Sequence, residues 1–265
     1  MPTMSRSLAI APKPRIRFRR VFHRFRLIHE RPETLRELFA SAFRARSRAQ
    51  DFEALKGISF DVLEGETFGI IGRNGAGKST ILKLMAKVYK PTAGFVTIDG
   101  RVSALIDIGA GFHPELTGRE NVFLTGALLG FSRREMRTRF DDILAFADIG
   151  EFIDTPVRQY STGMYLRLAF AIEATMAADI LLIDEILAVG DESFQRKCWE
   201  RLRELQQKRW TIVIVSHDLS AIQQICDRVM LLDQGKILWL GEPAKAIARY
   251  QNLLACTEAQ ATTMV

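Results

Sequence analysis

A glycine-rich loop between an apolar strand and an apolar helix is the strongest constraint on the fold of this chain. Residues 72–80 read GRNGAGKST, which matches the phosphate-loop pattern G-x-x-x-x-G-K-[ST]. Residues 67–71 form a short apolar run before the loop, and residues 81–85 continue with apolar side chains on one helical face. Such a loop presents backbone N–H groups and a helix N-terminus to an anion. The pattern therefore predicts that the chain binds a nucleoside triphosphate.

The loop residues have distinct predicted roles. The backbone wraps around the phosphates, Lys78 adds a positive charge and is also a predicted catalytic residue, and the Ser79 hydroxyl is a predicted Mg²⁺ ligand. The predicted nucleotide-binding residues of the loop are Gly72, Arg73, Asn74, Gly75, Ala76, Gly77, Lys78, Ser79 and Thr80.

A second apolar run ends in two carboxylates. Residues 180–185 read ILLIDE, which predicts a buried parallel strand whose carboxyl end presents Asp184 and Glu185 at the ligand side of an open α/β sheet. Asp184 is predicted to hold Mg²⁺, directly or through water. Glu185 is the predicted catalytic residue that orients the attacking water. The simpler alternative is an acidic pair that caps a helix.

Two further motifs lie near predicted element ends. The apolar run 211–215 leads into His217, which can donate to the γ-phosphate, although a histidine there can also be an ordinary loop residue. Residues 160–164 read YSTGM and precede an apolar helix, which Ser161 can cap. The open N–H groups of that helix predict an anion site.

Positive charge is concentrated at the N-terminus. Residues 1–50 carry 13 Lys/Arg against 3 acidic residues, a net charge of +10, so the remaining residues carry −4 within a total of +6. Such a cluster suits an anionic partner, whether lipid headgroups, nucleic acid or an acidic polymer.

Composition excludes several other classes of protein. The 48% hydrophobic content is that of a folded chain, and no apolar run approaches the roughly 18 residues that cross a bilayer. The N-terminus also lacks the apolar stretch of a secretory signal, which predicts a cytoplasmic protein. Cys198, Cys226 and Cys256 share no metal-ligand spacing and are predicted to be passive free thiols.

The N-terminal region is predicted to hold three different segments. Residues 1–14 read as a disordered basic leader. Residues 15–19 alternate basic and apolar side chains, which predicts either an edge strand guarded by charge or a partner-binding face. Residues 31–50 contain one apolar helical stripe among arginines, which predicts a basic amphipathic insert that covers the core or lies on a membrane or partner.

The rest of the chain alternates between strands and helices. A strand is predicted over 52–63, then strands over 95–98 and 102–108 separated by a turn at 99–100, and a helical region over 115–152. Helix and strand alternate after residue 160, as expected of a mostly parallel sheet with helices on its faces. A hairpin over 229–240, a helix over 243–254 and a polar tail over 256–265 complete the prediction.

The order of GRNGAGKST, YSTGM, ILLIDE, AVGD and VSHD resembles that of the nucleotide-binding subunits of ABC transporters, over about residues 15–250. The resemblance implies an α/β fold with a P-loop NTPase (RecA-like) core, an antiparallel β subdomain and an inserted α-helical subdomain at about 113–165, all in one ATPase domain of residues 15–255. It implies a homodimer that hydrolyses ATP.

The resemblance also implies roles for particular residues. Phe52 stacks on adenine, and His217 is the switch histidine. Ser161 and Gly163 of the signature motif contact the ATP of the second subunit in trans. Residues 188–191 form the dimer-contacting D-loop.

Within that family the chain more closely resembles the ATPases that export O-antigen, teichoic acid and related lipid-linked polysaccharides. The residues that carry this resemblance are 25–32 (FRLIHERP), the basic insert, 109–121 (GAGFHPELTGREN) and YSTGM. The resemblance implies a separate integral membrane permease of the ABC-2 exporter type and indirect handling of a lipid-linked polysaccharide. It further implies a peripheral location on the cytoplasmic face of the inner membrane, and no nucleic-acid partner is expected.

The sequence departs from the general family pattern in two places. Thr162 and Met164 stand where many members have Gly and Gln, and no glutamine occurs between residues 70 and 158, so the usual Q-loop glutamine is missing. Asp107 and Glu115 are the candidates for its coupling role. Two alternatives stay open: the ATPase of another transport system, and a non-transport ABC ATPase that acts on nucleic acid or ribosomes, which the basic N-terminus would suit.

Overall fold

Two β-sheets of different kinds share one hydrophobic core in the part of the chain that the structure describes. This computed structural model describes residues 13–28, 49–106, 109, 111–176, 178–184 and 191–262. The smaller sheet is antiparallel with strand order β2–β1–β4. Its strands are β1 (Pro14–Ile28), β2 (Ala49–Leu63) and β4 (Ala93–Ile98).

The larger sheet is mostly parallel, with strand order β5–β6–β7–β3–β8–β9. Only β9 runs antiparallel to its neighbour, in a hairpin with β8. The central strands are short runs of apolar residues buried on both faces, as expected when helices cover a parallel sheet. The strands are β3 (Thr67–Gly72), β5 (Val102–Leu105), β6 (Ile180–Asp184), β7 (Thr211–Val215), β8 (Arg228–Asp233) and β9 (Lys236–Gly241).

The described helices surround the larger sheet and extend from it between β5 and β6. Those that follow β3, β6, β7 and β9 are α1 (Lys78–Met85), α5 (Glu192–Gln207), α6 (Leu219–Ile225) and α7 (Pro243–Thr262). The helical part between β5 and β6 contains α2 (Gly118–Leu128), α3 (Arg133–Ala147) and α4 (Thr162–Thr175), with short 3₁₀ turns at Gly150–Asp154 and Val157–Gln159.

Three apolar clusters hold these layers together. The first joins the antiparallel sheet to α1 and one face of the larger sheet, and Phe18, Phe60 and Phe68 stack through it with ring centroids 4.6 and 5.6 Å apart. The second packs α5, α6 and α7 on the opposite face, and the third is the core of the helical part. Because α4 contributes to the second and third clusters, it ties the helical part to the sheet.

The expected α/β architecture, with an antiparallel sheet and an inserted helical part, is confirmed. The predicted strands over 95–98 and 102–108 lie in different sheets, as β4 and β5, rather than pairing with each other, and β5 ends at residue 105. The last helix continues to residue 262, so the described part of the predicted polar tail is helical.

The prediction of an edge strand at residues 15–19 is wrong, because β1 is the central strand of its sheet. Three of its basic side chains face acids on β2 or directly after it, so they stabilise the pairing of the two strands. The ion pairs are Arg15–Glu64 (2.7 Å), Arg19–Asp61 (2.6 Å) and Arg24–Glu53 (3.1 Å). An alternating basic and apolar pattern occurs on an edge strand and equally on a middle strand with an acidic neighbour.

Several predictions fall outside the described residues. These are the leader up to residue 12, residues 31–48 of the amphipathic insert predicted over 31–50, Asp107, Glu185, and residues 188–190 of the predicted D-loop. Among the helices that the structure describes, none has the length and apolar character needed to cross a membrane.

Candidate functional site

The phosphate loop is shaped by close approach to two other strands. A Cβ on Gly72 would lie 2.0 Å from the carbonyl oxygen of Leu232 in β8. Gly77 precedes α1 with φ of +108°, and a Cβ there would lie 2.8 Å from the carbonyl oxygen of Ala54 in β2. Both positions therefore require glycine, one for space and the other also for its backbone conformation.

Lys78 is the first residue of α1 and is only 6% exposed. Its Nζ donates to the carbonyl oxygens of Gly72 at 2.8 Å and Arg73 at 3.1 Å. A buried ammonium group needs such acceptors, since desolvating its charge without them is costly. These bonds hold the positive charge inside the loop.

An open cleft of about 500 Å³ lies beside the loop, within the usual size range of small-molecule sites. Three separate elements form it: β2, the loop with the start of α1, and the end of β6. Its lining residues are Phe52, Ala54, Asn74, Gly75, Gly77, Lys78, Ser79, Thr80 and Asp184. Phe52 is 49% exposed, so its ring is available for stacking on a flat base.

Two of the predicted loop residues, Arg73 and Ala76, do not line the cleft but form hydrogen bonds next to it. The carbonyl group of Arg73 accepts from Lys78, while buried Ala76 accepts a backbone hydrogen bond from Gly235 at 3.0 Å. Ala54 was not predicted from the sequence. The signal was present, because alternation along β2 places residues 52 and 54 on the same face.

Strand order brings the dispersed polar residues to one edge. In the order β6–β7–β3, Val215 of the middle strand β7 pairs with Asp184 of β6 on one side and with Ile70 of β3 on the other. His217 is exposed and follows β7 by two residues, so it lies at the carboxyl edge between the acidic strand and the phosphate loop. Glu185 directly follows Asp184 but is outside the described residues.

The oxygen donors of the cleft fit Mg²⁺. The Ser79 hydroxyl and the Asp184 carboxylate line the same cleft. Mg²⁺ prefers oxygen ligands and is usually held by few protein groups together with substrate phosphates and water. Two such donors beside a phosphate loop suit that requirement.

The start of α4 forms a second, separate candidate anion site. The Ser161 side chain accepts a hydrogen bond from the N–H of Met164 at 3.2 Å and caps the helix, as predicted. Around Gly163 the space is open, since an added Cβ would meet only Ser161 Oγ at 3.8 Å. Neither Ser161 nor Gly163 lines the cleft formed by the described residues. The two predicted halves of the nucleotide site therefore do not meet in that cleft within one chain.

Arg167 joins α4 to the start of α5, a link with no sequence signal. Its guanidinium forms an ion pair with Asp191 and lies 5.2 Å from the Phe194 ring centroid. Asp191 caps α5 by accepting from the Phe194 N–H at 2.9 Å. That hydrogen bond and the Arg167 charge lower the pKa of Asp191. Asp191, the residue directly before α5, is therefore bound to α4 through Arg167.

Comparison with known proteins agrees with this geometry. The family model described as "ABC transporter" matches residues 55–188. The chain is 44% identical to the O-antigen export system ATP-binding protein RfbB of Klebsiella pneumoniae over 245 residues, which cover 92% of this chain and 100% of the relative. It is 49% identical to the protein of the same description from Myxococcus xanthus over 207 residues, 78% of this chain but only 47% of that relative.

A solved structure has the same fold. It is a dimeric ATP-binding cassette in a post-hydrolysis state bound to ADP and Pi, with a TM-score of 0.69, 23% identity, and coverage of 86% of this chain and 98% of the other. The family model spans just over half of the 265 residues, and a relative matched along its whole length is 44% identical. The chain therefore belongs to the ABC transporter ATPase family.

Proposed function

We propose that this chain binds and hydrolyses ATP as a head-to-tail homodimer, and that the cycle drives export of a lipid-linked polysaccharide through a separate membrane permease of the ABC-2 type. The chain would lie on the cytoplasmic face of the inner membrane. Mg²⁺ is the proposed metal, held by Ser79 and Asp184.

The cleft supports the nucleotide part of the proposal. Phe52 offers a ring to the adenine, and Lys78 places a buried positive charge within a loop of N–H groups. When bound, Mg²⁺ supplies neutralisation of the phosphate charge. Glu185, at the carboxyl edge of β6, is positioned by sequence to accept a proton from the attacking water, and His217 to donate to the γ-phosphate.

The separation of the two candidate anion sites supports the dimer. The phosphate loop and the start of α4 each offer N–H groups to an anion, but Ser161 and Gly163 are outside the cleft. A second copy rotated by a twofold axis can bring its α4 to this cleft while receiving the reciprocal contact. Two ATP molecules would then be buried between subunits and would hold them together.

The substrate class rests on the full-length relative. Identity of 44% over 92% of this chain is shared with a protein described as an ATP-binding part of an O-antigen export system. Identity of this extent includes more than the catalytic motifs, since the matched region exceeds the 55–188 family segment. An O-antigen or a related lipid-linked polysaccharide is therefore the proposed cargo.

The nucleic-acid alternative loses support from the structure. Part of the basic N-terminal charge lies on β1, where Arg15, Arg19 and Arg24 form ion pairs with acids on β2 or directly after it. Neutralised pairs release fewer counterions from a phosphate backbone than free arginines would. No observation favours another transport substrate.

Replacing Lys78 with Ala tests the proposal at the protein and in the cell. We expect ATP affinity to fall about 10- to 100-fold by calorimetry, because a charge-assisted hydrogen bond to phosphate is lost. A strain that depends on this chain should lose surface polysaccharide and accumulate the lipid-linked polymer inside. The matched control is Lys83→Ala, which removes a lysine on the same helix that lies 5.9 Å from the Tyr89 ring centroid and does not line the cleft.

Unchanged ATP affinity in Lys78→Ala would refute the assigned site. Normal surface polysaccharide in a strain whose Lys78→Ala protein no longer hydrolyses ATP would refute the export function. The ATP affinity therefore tests the assigned nucleotide site, and the surface polysaccharide tests the proposed role in export.

A further inference from the structure

The segment that follows β5, called here the post-β5 loop, spans residues 106–112, of which 106, 109, 111 and 112 are described. Strand β5 is the neighbour of β6, and Leu105 pairs with Ile183, one residue before Asp184. The described residues of this post-β5 loop therefore start next to the predicted Mg²⁺ ligand. The loop then continues to α2, so it connects the sheet with the helical part.

Tyr165 of α4 holds this loop from the helical side. Its hydroxyl donates to the carbonyl oxygen of Gly109 at 2.7 Å, and its ring meets Phe112 edge to face with centroids 5.0 Å apart. Burial raises the pKa of Tyr165, so the hydroxyl stays protonated and able to donate. One side chain thus makes a polar and an aromatic contact to the same loop.

The loop backbone is fitted closely to this ring. Gly109 has φ of +76°, and a Cβ there would lie 2.3 Å from Tyr165 Cε1. At Gly111 an added Cβ would lie 3.2 Å from Leu128 of α2. Gly109 and Gly111 therefore pack against two helices of the helical part, with the tighter contact at Tyr165.

Tyr165 is also connected directly to the second candidate anion site. Its backbone N–H donates to the carbonyl oxygen of Ser161 at 3.0 Å, in the first turn of α4. Gly109 is therefore linked to the α4 N-terminus through one side chain and one helical hydrogen bond. At the other end of α4, Glu173 contacts Ser103 of β5, so that end is anchored to the sheet itself.

We propose that Tyr165 is a positioning residue that couples Gly109 and Phe112, which follow β5, to the α4 N-terminus that meets the ATP of the second subunit. The chain has no glutamine between residues 70 and 158 to provide a side-chain link from within this loop. The side-chain link instead comes from Tyr165 of α4, whose hydroxyl donates to the carbonyl oxygen of Gly109. This inference rests on the proposed ATP-dependent dimer.

The test is Tyr165→Phe, which keeps the ring packing and removes only the hydroxyl. In a Glu185→Gln background, ATP affinity of the cleft should stay unchanged by calorimetry, while the dimer dissociation constant by sedimentation should rise about fivefold for one lost hydrogen bond. In the otherwise native chain, kcat should fall by a similar factor with KM unchanged. Hydrogen exchange should show ATP protecting residues 161–165 less than in the native protein.

The matched control is Ser132→Ala, which removes a capping hydroxyl at the start of α3, elsewhere in the helical part. It should leave the dimer dissociation constant and kcat unchanged despite a comparable loss of stability. An unchanged dimer constant in Tyr165→Phe overturns the proposal, and so does an equal change in the control. If the Glu185→Gln parent itself forms no dimer with ATP, the failure lies in the proposed function, and the coupling that depends on it falls with it.

Discussion

At the scale of single residues, Glu173 is a partly buried acid in the last turn of α4, the helix that connects the helical part to the sheet. Its carboxylate contacts the Ser103 hydroxyl, and burial raises its pKa from 4.5 to about 7. The hydrogen bonds from Ser103 and the Ala104 N–H oppose this rise without cancelling it. At neutral pH the residue is therefore close to its folded-state pKa.

Glu173 makes stability depend on pH in a defined direction. Between pH 4.5 and about 7 the folded state binds more protons at this group than the unfolded state, so the free energy of unfolding falls as pH rises through that window. The loss approaches about 3 kcal/mol above pH 7. We expect Glu173→Gln, which carries no charge, to be more stable than the native protein at pH 8 and similar to it at pH 5. Urea unfolding at both pH values measures this, and parallel pH trends in the two proteins would contradict it.

At the scale of elements, α3 and α4 begin with the same device but have different surroundings. Ser132 and Ser161 each accept a hydrogen bond from the N–H three residues later, and Ser132 also takes part in a reciprocal capping box with Glu135. The α4 cap precedes the open space at Gly163, whereas the α3 cap lies at a junction within the helical part. We therefore propose the α4 cap, and not the α3 cap, as a contact to the ATP of the second subunit.

Replacing either serine separates capping from binding. Ser161→Ala and Ser132→Ala should each lower the free energy of unfolding by about 1 kcal/mol, because a helix N-terminal N–H loses its acceptor. Only Ser161→Ala should also reduce ATP hydrolysis, by a factor of several, since its hydroxyl is a proposed contact to the second subunit's ATP. Steady-state ATPase assays with parallel denaturation curves check this. Equal ATPase activities in the two variants would contradict the assignment of Ser161 as a contact to the second subunit's ATP.

The elements also show where local pattern is ambiguous. The phosphate loop, the capped α4 and the β8–β9 hairpin were predicted because their signals lie within a few consecutive residues. The central position of β1 does not follow from the sequence, because alternating charge does not indicate which strands lie on either side of it. The sequence also did not indicate which sheet β4 and β5 join, since the short turn between them carries no information about later pairing.

At the scale of the whole molecule, the proposed site is completed only by a second copy. Glu185→Gln should keep ATP binding, abolish turnover and elute as a dimer with ATP on a sizing column, because the γ-phosphate stays in place between the subunits. The double variant with Lys78→Ala should remain a monomer, since it no longer binds the nucleotide. A Glu185→Gln protein that stays monomeric with saturating ATP would contradict the head-to-tail arrangement.

The sequence by itself determined the chemistry of the site: a phosphate loop, two carboxylates after an apolar strand, a histidine after another and a cappable helix. These features are local, since glycine spacing, apolar runs and capping residues act within a few positions. Tertiary structure alone decided which of them meet. The order β6–β7–β3 brings Asp184, His217 and the loop to one edge, and β2 brings Phe52 to it. Tyr165 reaches Gly109 from 56 positions away because α4 packs beside β5. Such contacts depend on packing between distant segments, which no short pattern encodes.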